Sequence, residues 1–187
     1  MVSRFQIASS DVQAARPDLV AAALTASKTN EHGVIVRPVT AGDEGRIEAI
    51  LNQPWAKEEA AGLVTASLDP EKKTGGWVAI FEGQLVGIIT TKDEFNGRVE
   101  VESEYQGRRI GEALVTAREE HQKAQGQHQA TAHIMADNAS SIKLHNRMGY
   151  VHQRELDRQT EKGVVQTYQK NFGPVAALSA PAQKMSL

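Results

Sequence analysis

Val99-Glu100-Val101-Glu102-Ser103-Glu104-Tyr105-Gln106-Gly107-Arg108-Arg109-Ile110-Gly111-Glu112-Ala113-Leu114 changes its hydrophobic period part-way along. Val99 and Val101 alternate with Glu100 and Glu102, as in a half-buried strand. From Ile110 on, Ala113, Leu114, Ala117, His121 and Ala124 recur at helical spacing, and Gly126 stops the run. The loop between them holds Gly107, Arg108 and Arg109, with Gly111 just inside the helix. The first backbone N–H groups of a helix have no internal acceptor, and the helix dipole draws anions to them. Glycines let a ligand approach the backbone, while Gln106, Arg108 and Arg109 add donors and positive charge. Residues 106–113 are therefore expected to hold a phosphate-bearing ligand. A glycine-containing turn is common on its own, so the reading depends on what surrounds it.

Downstream lies Asp137-Asn138-Ala139-Ser140-Ser141-Ile142-Lys143-Leu144-His145-Asn146-Arg147-Met148-Gly149-Tyr150. Asn138 is placed to cap a helix that carries Ser141, Leu144, His145 and Met148 on one side and ends at Gly149. Gln129–Met135 reads as a short strand before it, and Val151–Leu156 and Val164–Phe172 as two strands after it, with a turn near Lys162-Gly163. Upstream, Val34–Val36 reads as a strand, and Thr40 with Asp43 resembles a capping box. Two helical faces follow, the first with Ile47, Ile50 and Leu51, the second from Trp55 to Leu68. Trp77–Phe81 and Gln84–Thr90 flank Glu82-Gly83 as a β-hairpin, and Arg98–Glu102 is a further strand. The expected order is β-α-α-β-β-β-α-β-α-β-β, an α/β (α+β) domain over residues 34–172. Residues 1–33 read as an N-terminal arm with a short helix near 17–28 and a linker at 27–33. Residues 173–187 read as a flexible C-terminal tail.

Composition narrows the function classes. A chain of 187 residues can bury a core without staples. There is no cysteine, which removes disulfides, thiolate nucleophiles and cysteine-zinc sites. That composition also fits a reducing cytoplasm. Lys and Arg number 21 against 23 Asp and Glu, so no nucleic-acid partner is expected. No stretch approaches the roughly 18 apolar residues of a membrane span, so no membrane partner is expected either. His121 and His128 lack a third ligand, so no metal is expected.

Taken together, Tyr105-Gln106-Gly107-Arg108-Arg109-Ile110-Gly111-Glu112-Ala113-Leu114 resembles the acyl-CoA signature of the GCN5-related N-acetyltransferases, the GNAT superfamily. Asn138 to Tyr150 resembles the second conserved block of that family, and Val36-Arg37-Pro38-Val39-Thr40 with Asp43 resembles its opening. The Leu144-His145 pair is similar to the phosphinothricin-type, small-amine branch. The resemblance spans about residues 34–172. It implies a mixed central β-sheet flanked by helices and acetyl-CoA as acyl donor. It also implies direct transfer to a primary amine of a small molecule: an amino acid, an analogue or an antibiotic. Val99, Val101, Gln106, Gly107, Arg108, Arg109, Ile110, Gly111, Glu112, Ala113, Asn138 and Ser141 are then expected to contact the donor. Arg109 stands where the family carries a glycine, so the loop departs from the pattern there.

Such a transfer needs a base for the ammonium of the acceptor and a proton donor for the departing thiolate. The resemblance implies that His145, at the position of the family's frequent tyrosine acid, is the donor. It likewise implies His133 as a base, five residues before Asn138. Glu100 and Glu102 are further candidates. Where the small-amine branch carries a strand glutamate this chain has Asn96, with Glu94 as a neighbour. Two other readings remain open, a protein N-terminal or lysine acetyltransferase and a non-catalytic module binding acyl-CoA or a protein. A homodimer is expected from the family.

Overall fold

The computed structural model describes residues 28–54, 56–67, 75–92 and 95–173. The expected arm helix, Trp55, Glu94 and most of the tail lie outside these residues. Among the described residues nine strands form one sheet: β1 (Lys28–Thr29), β2 (Ile35–Pro38), β3 (Gly75–Phe81), β4 (Gln84–Lys92), β5 (Phe95–Val101), β6 (Gln129–Met135), β7 (Val151–His152), β8 (Arg158–Thr160) and β9 (Gly163–Asn171). Four α-helices accompany them among the described residues: α1 (Glu44–Leu51), α2 (Ala56–Ser67), α3 (Ile110–Ala124) and α4 (Ala139–Arg147). The sheet order is β1-β2-β3-β4-β5-β6-β9-β7, with β8 also pairing β9. Every pairing is antiparallel except β5 with β6, which is parallel and makes a single register pair, Phe95 with Thr131. The mixed sheet flanked by helices is therefore present. No helix among the described residues is long and apolar enough to cross a membrane.

Successive strand residues face opposite sides of the sheet, and the core divides accordingly. Val78 and Ile88 pack under α1 and α2 with Ile47, Leu51, Ala60, Leu63 and Val64. Their neighbours Ala79 and Ile89 pack under α3 with Ile110, Leu114, Val115, Ala132 and Ile134. The local signals act where they were read. Thr40 and Asp43 form a capping box, and the Asn138 side chain accepts from the Ser141 N–H at 3.0 Å. Glu82 and Gly83 both take positive φ, as a two-residue hairpin turn requires.

Three expectations need correction. Lys28 and Thr29, read as linker, pair with Val36 and Ile35, because the turn at Asn30–Gly33 folds the chain back onto β2. The strand expected over Val151–Leu156 stops at His152 and gives way to a 3-10 turn at Arg154–Leu156, and β8 then pairs β9. On α3 the buried side carries Ile110, Leu114, Val115, Arg118, Glu119 and Gln122, rotated from the expected face. His121 instead packs against Trp77, with ring centroids 4.9 Å apart. Long polar side chains hid that rotation, because their stems can be buried as readily as an apolar residue.

Candidate active site

The sheet opens where β5 and β6 part. Beyond the pair Phe95–Thr131 the two parallel strands make no further register pair. The gap is a cleft of about 690 Å³. One wall is β5 from Gly97 to Val101, the other is His133–Met135 of β6, and α4 contributes Ser141, Lys143, Leu144 and Arg147. Gly97 sits at the narrow end, where a Cβ would come within 2.1 Å of the Thr90 hydroxyl. The β4–β5 register shifts at this place, between Ile89 and Thr91.

The wide end is the loop singled out in the sequence. The Gln106 side chain donates to the Val101 carbonyl at 3.1 Å and folds the loop back on its strand. Gly107 takes φ +82° and Arg109 φ +60°. Arg109 thus occupies the left-handed conformation that the family's glycine would adopt without strain. The first backbone N–H of this region to find a protein acceptor is that of Ala113, bonded to the Arg109 carbonyl at 3.1 Å. Those of Gly107 to Glu112 find none among the described residues, which leaves a run of donors at the positive end of α3. Gly111 lets α4 approach, since a Cβ there would stand 3.2 Å from Leu144.

The two loop arginines diverge. Arg109 lines the cleft. Arg108 lies over the rings of Phe81 and Tyr105, 5.3 and 5.7 Å from their centroids, and is not among the cleft-lining residues. Glu112 ties the walls together by pairing with Arg109 at 3.6 Å and with Arg147 of α4. Sequence reading did not select Lys143 and Arg147. Their spacing on a capped helix beside a phosphate loop was the available signal. Ala113 and Ile110 belong to the start of α3, Ile110 in the cleft wall and Ala113 on the side facing Val34, Val36 and Trp77.

The candidate proton-transfer residues separate. Glu100 lines the cleft, half-buried, 3.5 Å from Arg98, which also lies 3.8 Å from Glu59 of α2. Burial raises the Glu100 pKa, Glu59 adds to the rise, and Arg98 opposes it. Glu102 is outside the cleft lining and pairs with Arg46 at 2.6 Å, joining α1 to the end of β5. His133 lines the cleft, two residues beyond the last β5–β6 pair. Burial, with a contribution from Arg158, holds its pKa below the usual value.

His145 lies behind the wall and is 3% exposed. Its Nδ1 is 2.9 Å from the Ser141 carbonyl, which only accepts, so Nδ1 carries the proton. Its Nε2 is buried without a hydrogen-bond partner among the described residues, and its ring packs edge-on to Tyr150 at 5.0 Å. Burial is the main cause that takes its pKa down to about 4, with the nearby Arg118 acting in the same sense. A neutral ring whose one proton is engaged by a carbonyl is better placed to support Ser141 and α4 than to donate into the cleft.

Residues 45–150 match the family model described as "Acetyltransferase (GNAT) family". No curated protein matches the chain. Among solved structures it resembles the PaiA N-acetyltransferase of Thermoplasma acidophilum, determined with coenzyme A, at TM-score 0.63 and 14% identity over 74% of this chain and 99% of that one. It resembles YncA of Salmonella typhimurium, determined with its cofactor acetyl-CoA, at 0.62 and 19% over 80% and 98%. It also resembles the ribosomal-protein-S5-alanine acetyltransferase of Vibrio fischeri, at 0.65 and 18% over 78% and 96%. At these identities the likeness is one of fold.

Proposed function

Because the chain belongs to the acetyltransferase (GNAT) family, we propose that it moves an acetyl group from acetyl-CoA to the primary amine of a small molecule. The observation that carries this reading is the joining of two features in one cleft, the free N–H run from Gly107 to Glu112 and the parted edges of β5 and β6. The N–H run, with Arg109 and Arg147, suits the diphosphate of the donor. The open edge of β5 can take an extended amide-bearing arm as an added strand would be taken. From Gly97 to Val101 that edge is about 13 Å long at the usual rise per residue. The thioester is thereby directed to the narrow end, beside Gly97 and His133.

The donor supplies an activated acyl group with a thiol leaving group. The acceptor amine, once it has lost a proton, forms the C–N bond as the C–S bond breaks. The chain's task is to position the two partners, draw in the ammonium and receive its proton. Glu100, which lines the β5 wall beside Arg98, offers the cleft a carboxylate that can draw in an ammonium. A few charged groups in a walled cleft support a small acceptor, and the Leu144-His145 pair supports the phosphinothricin-type branch. A peptide N-terminus is the second reading, favoured by the fold shared with the ribosomal-protein acetyltransferase.

Calorimetry with acetyl-CoA, followed by thiol release across small amines and peptides with free N-termini, tests both. Binding and release with a small amine are expected. Release with peptides alone replaces the acceptor class. Binding without release from any amine makes the chain a non-catalytic acyl-CoA module, and no binding removes the reading.

A further inference from the structure

We infer that Thr167 of β9 is a positioning residue that fixes which nitrogen of His133 faces the reaction as a base. This rests on the acetyl-transfer reading and adds to it a proton acceptor and the residue that sets its tautomer. Thr167 is 1% exposed, and its hydroxyl meets two groups. It lies 3.0 Å from the Leu156 carbonyl and 3.3 Å from Nδ1 of His133. A hydroxyl has one proton, and a carbonyl oxygen can only accept. The proton therefore goes to Leu156, and toward His133 the hydroxyl oxygen must accept. That requires Nδ1 to carry the imidazole proton and leaves the lone pair on Nε2.

The hydroxyl is itself held on both sides. Asp157 accepts the backbone N–H of Thr167 at 2.9 Å and pairs with His152 at 2.9 Å. The His152 ring stacks on Tyr168 with centroids 4.9 Å apart and planes 14° from parallel. The 3-10 turn at Arg154–Leu156, which interrupts the expected strand, is what brings the Leu156 carbonyl to Thr167. The kinked β7–β8 edge thus serves the cleft indirectly, through one hydroxyl.

His133 stands where the strands part, at the end of the cleft to which the thioester is directed. In the step, Nε2 takes a proton from the acceptor ammonium and the ring becomes imidazolium. The freed amine bonds to the acyl carbon, the C–S bond breaks, and the thiolate receives the second amine proton. The ring then returns its proton to water. The charged groups that line the cleft with His133 are Arg98 and Glu100 of β5, Arg109 and Glu112 at the start of α3, and Lys143 and Arg147 of α4, and Arg158 of β8 also acts on it.

Two readouts test this, one independent of any acceptor. Nitrogen-15 NMR of the histidine rings, assigned with His133→Asn, should show His133 protonated at Nδ1 above pH 7. Thr167→Val should shift it toward the Nε2-protonated form, and Thr167→Ser should restore the wild-type signal. Protonation at Nε2 in the wild type, or no change in Thr167→Val, overturns the inference. With the best amine of the panel, His133→Asn keeps a donor toward Thr167 but lacks Nε2, and should lower kcat/KM at least a hundredfold. Thr167→Val should lower kcat rather than raise KM and move the acid limb of the pH profile, with Thr167→Ser close to wild type. Activity of His133→Asn within twofold of wild type overturns the base role. If no amine releases thiol, the acetyl-transfer reading fails and the base role with it, while the NMR result still decides the tautomer.

Discussion

Arg109 bears the sharpest conflict in the chain. A side chain in the left-handed region costs about 1–2 kcal/mol relative to ordinary backbone. Arg109 also lines the cleft where phosphates are expected, however, and its guanidinium pairs with Glu112 at 3.6 Å. Arg109→Gly separates the two effects. Relief of strain, less the greater freedom of glycine in the unfolded chain, should raise stability by about 0.5–1 kcal/mol. Loss of the cation should weaken acetyl-CoA binding about tenfold, near the lower range of a charge-assisted hydrogen bond. Urea unfolding and calorimetry on one variant measure both. Tighter binding would mean that the backbone, and not the charge, dominates the loop. The departure from the family pattern was legible in the sequence. Its conformational consequence was not, since φ at residue 109 is set by the meeting of a loop and a helix start.

At the level of elements, α4 shows how burial changes the role of a residue. Sequence spacing puts Ser141, Leu144 and His145 on one side of the helix, and a single side can serve both cleft and core. Ser141 and Leu144 reach the cleft, while His145 turns to Tyr150 and lies near Arg118. Its folded pKa of about 4 lies below the ordinary histidine value of 6.5. The unfolded chain therefore binds the proton more readily between these values. Stability is fully present above pH 6.5 and falls as the pH drops toward 4, by about 3 kcal/mol over the window. His145→Phe, which keeps an aromatic ring beside Tyr150, should flatten that slope. Denaturant midpoints between pH 4 and 7 measure it, and an unchanged slope would assign the acid sensitivity to other groups. The same variant should keep most of its acetyl-transfer rate.

Across the whole molecule, the two parts of the sheet meet at one β5–β6 register pair, and the Glu112–Arg147 ion pair links α3 to α4 along the cleft. A ligand that lies against β5 and its neighbouring loop should tighten that junction. Acetyl-CoA at a hundred times its dissociation constant should stabilise the fold by about 2.7 kcal/mol. Amide exchange should slow at residues 98–101 and 107–112, and much less in the β3–β4 hairpin. Protection that leaves residues 98–101 and 107–112 unchanged would place the ligand elsewhere. The sequence by itself determined the order of the main elements, their caps and hairpin turn, and the phosphate loop, because each is written in neighbouring residues. It determined the family in the same way, from Gln106 to Leu114 and from Asn138 to Tyr150. Only the tertiary structure decided that Glu102 is held by Arg46, that His145 is walled off, and that Thr167 reaches His133. Those contacts join residues far apart in the chain, and their geometry comes from sheet pairing and helix rotation. No local pattern encodes either of these.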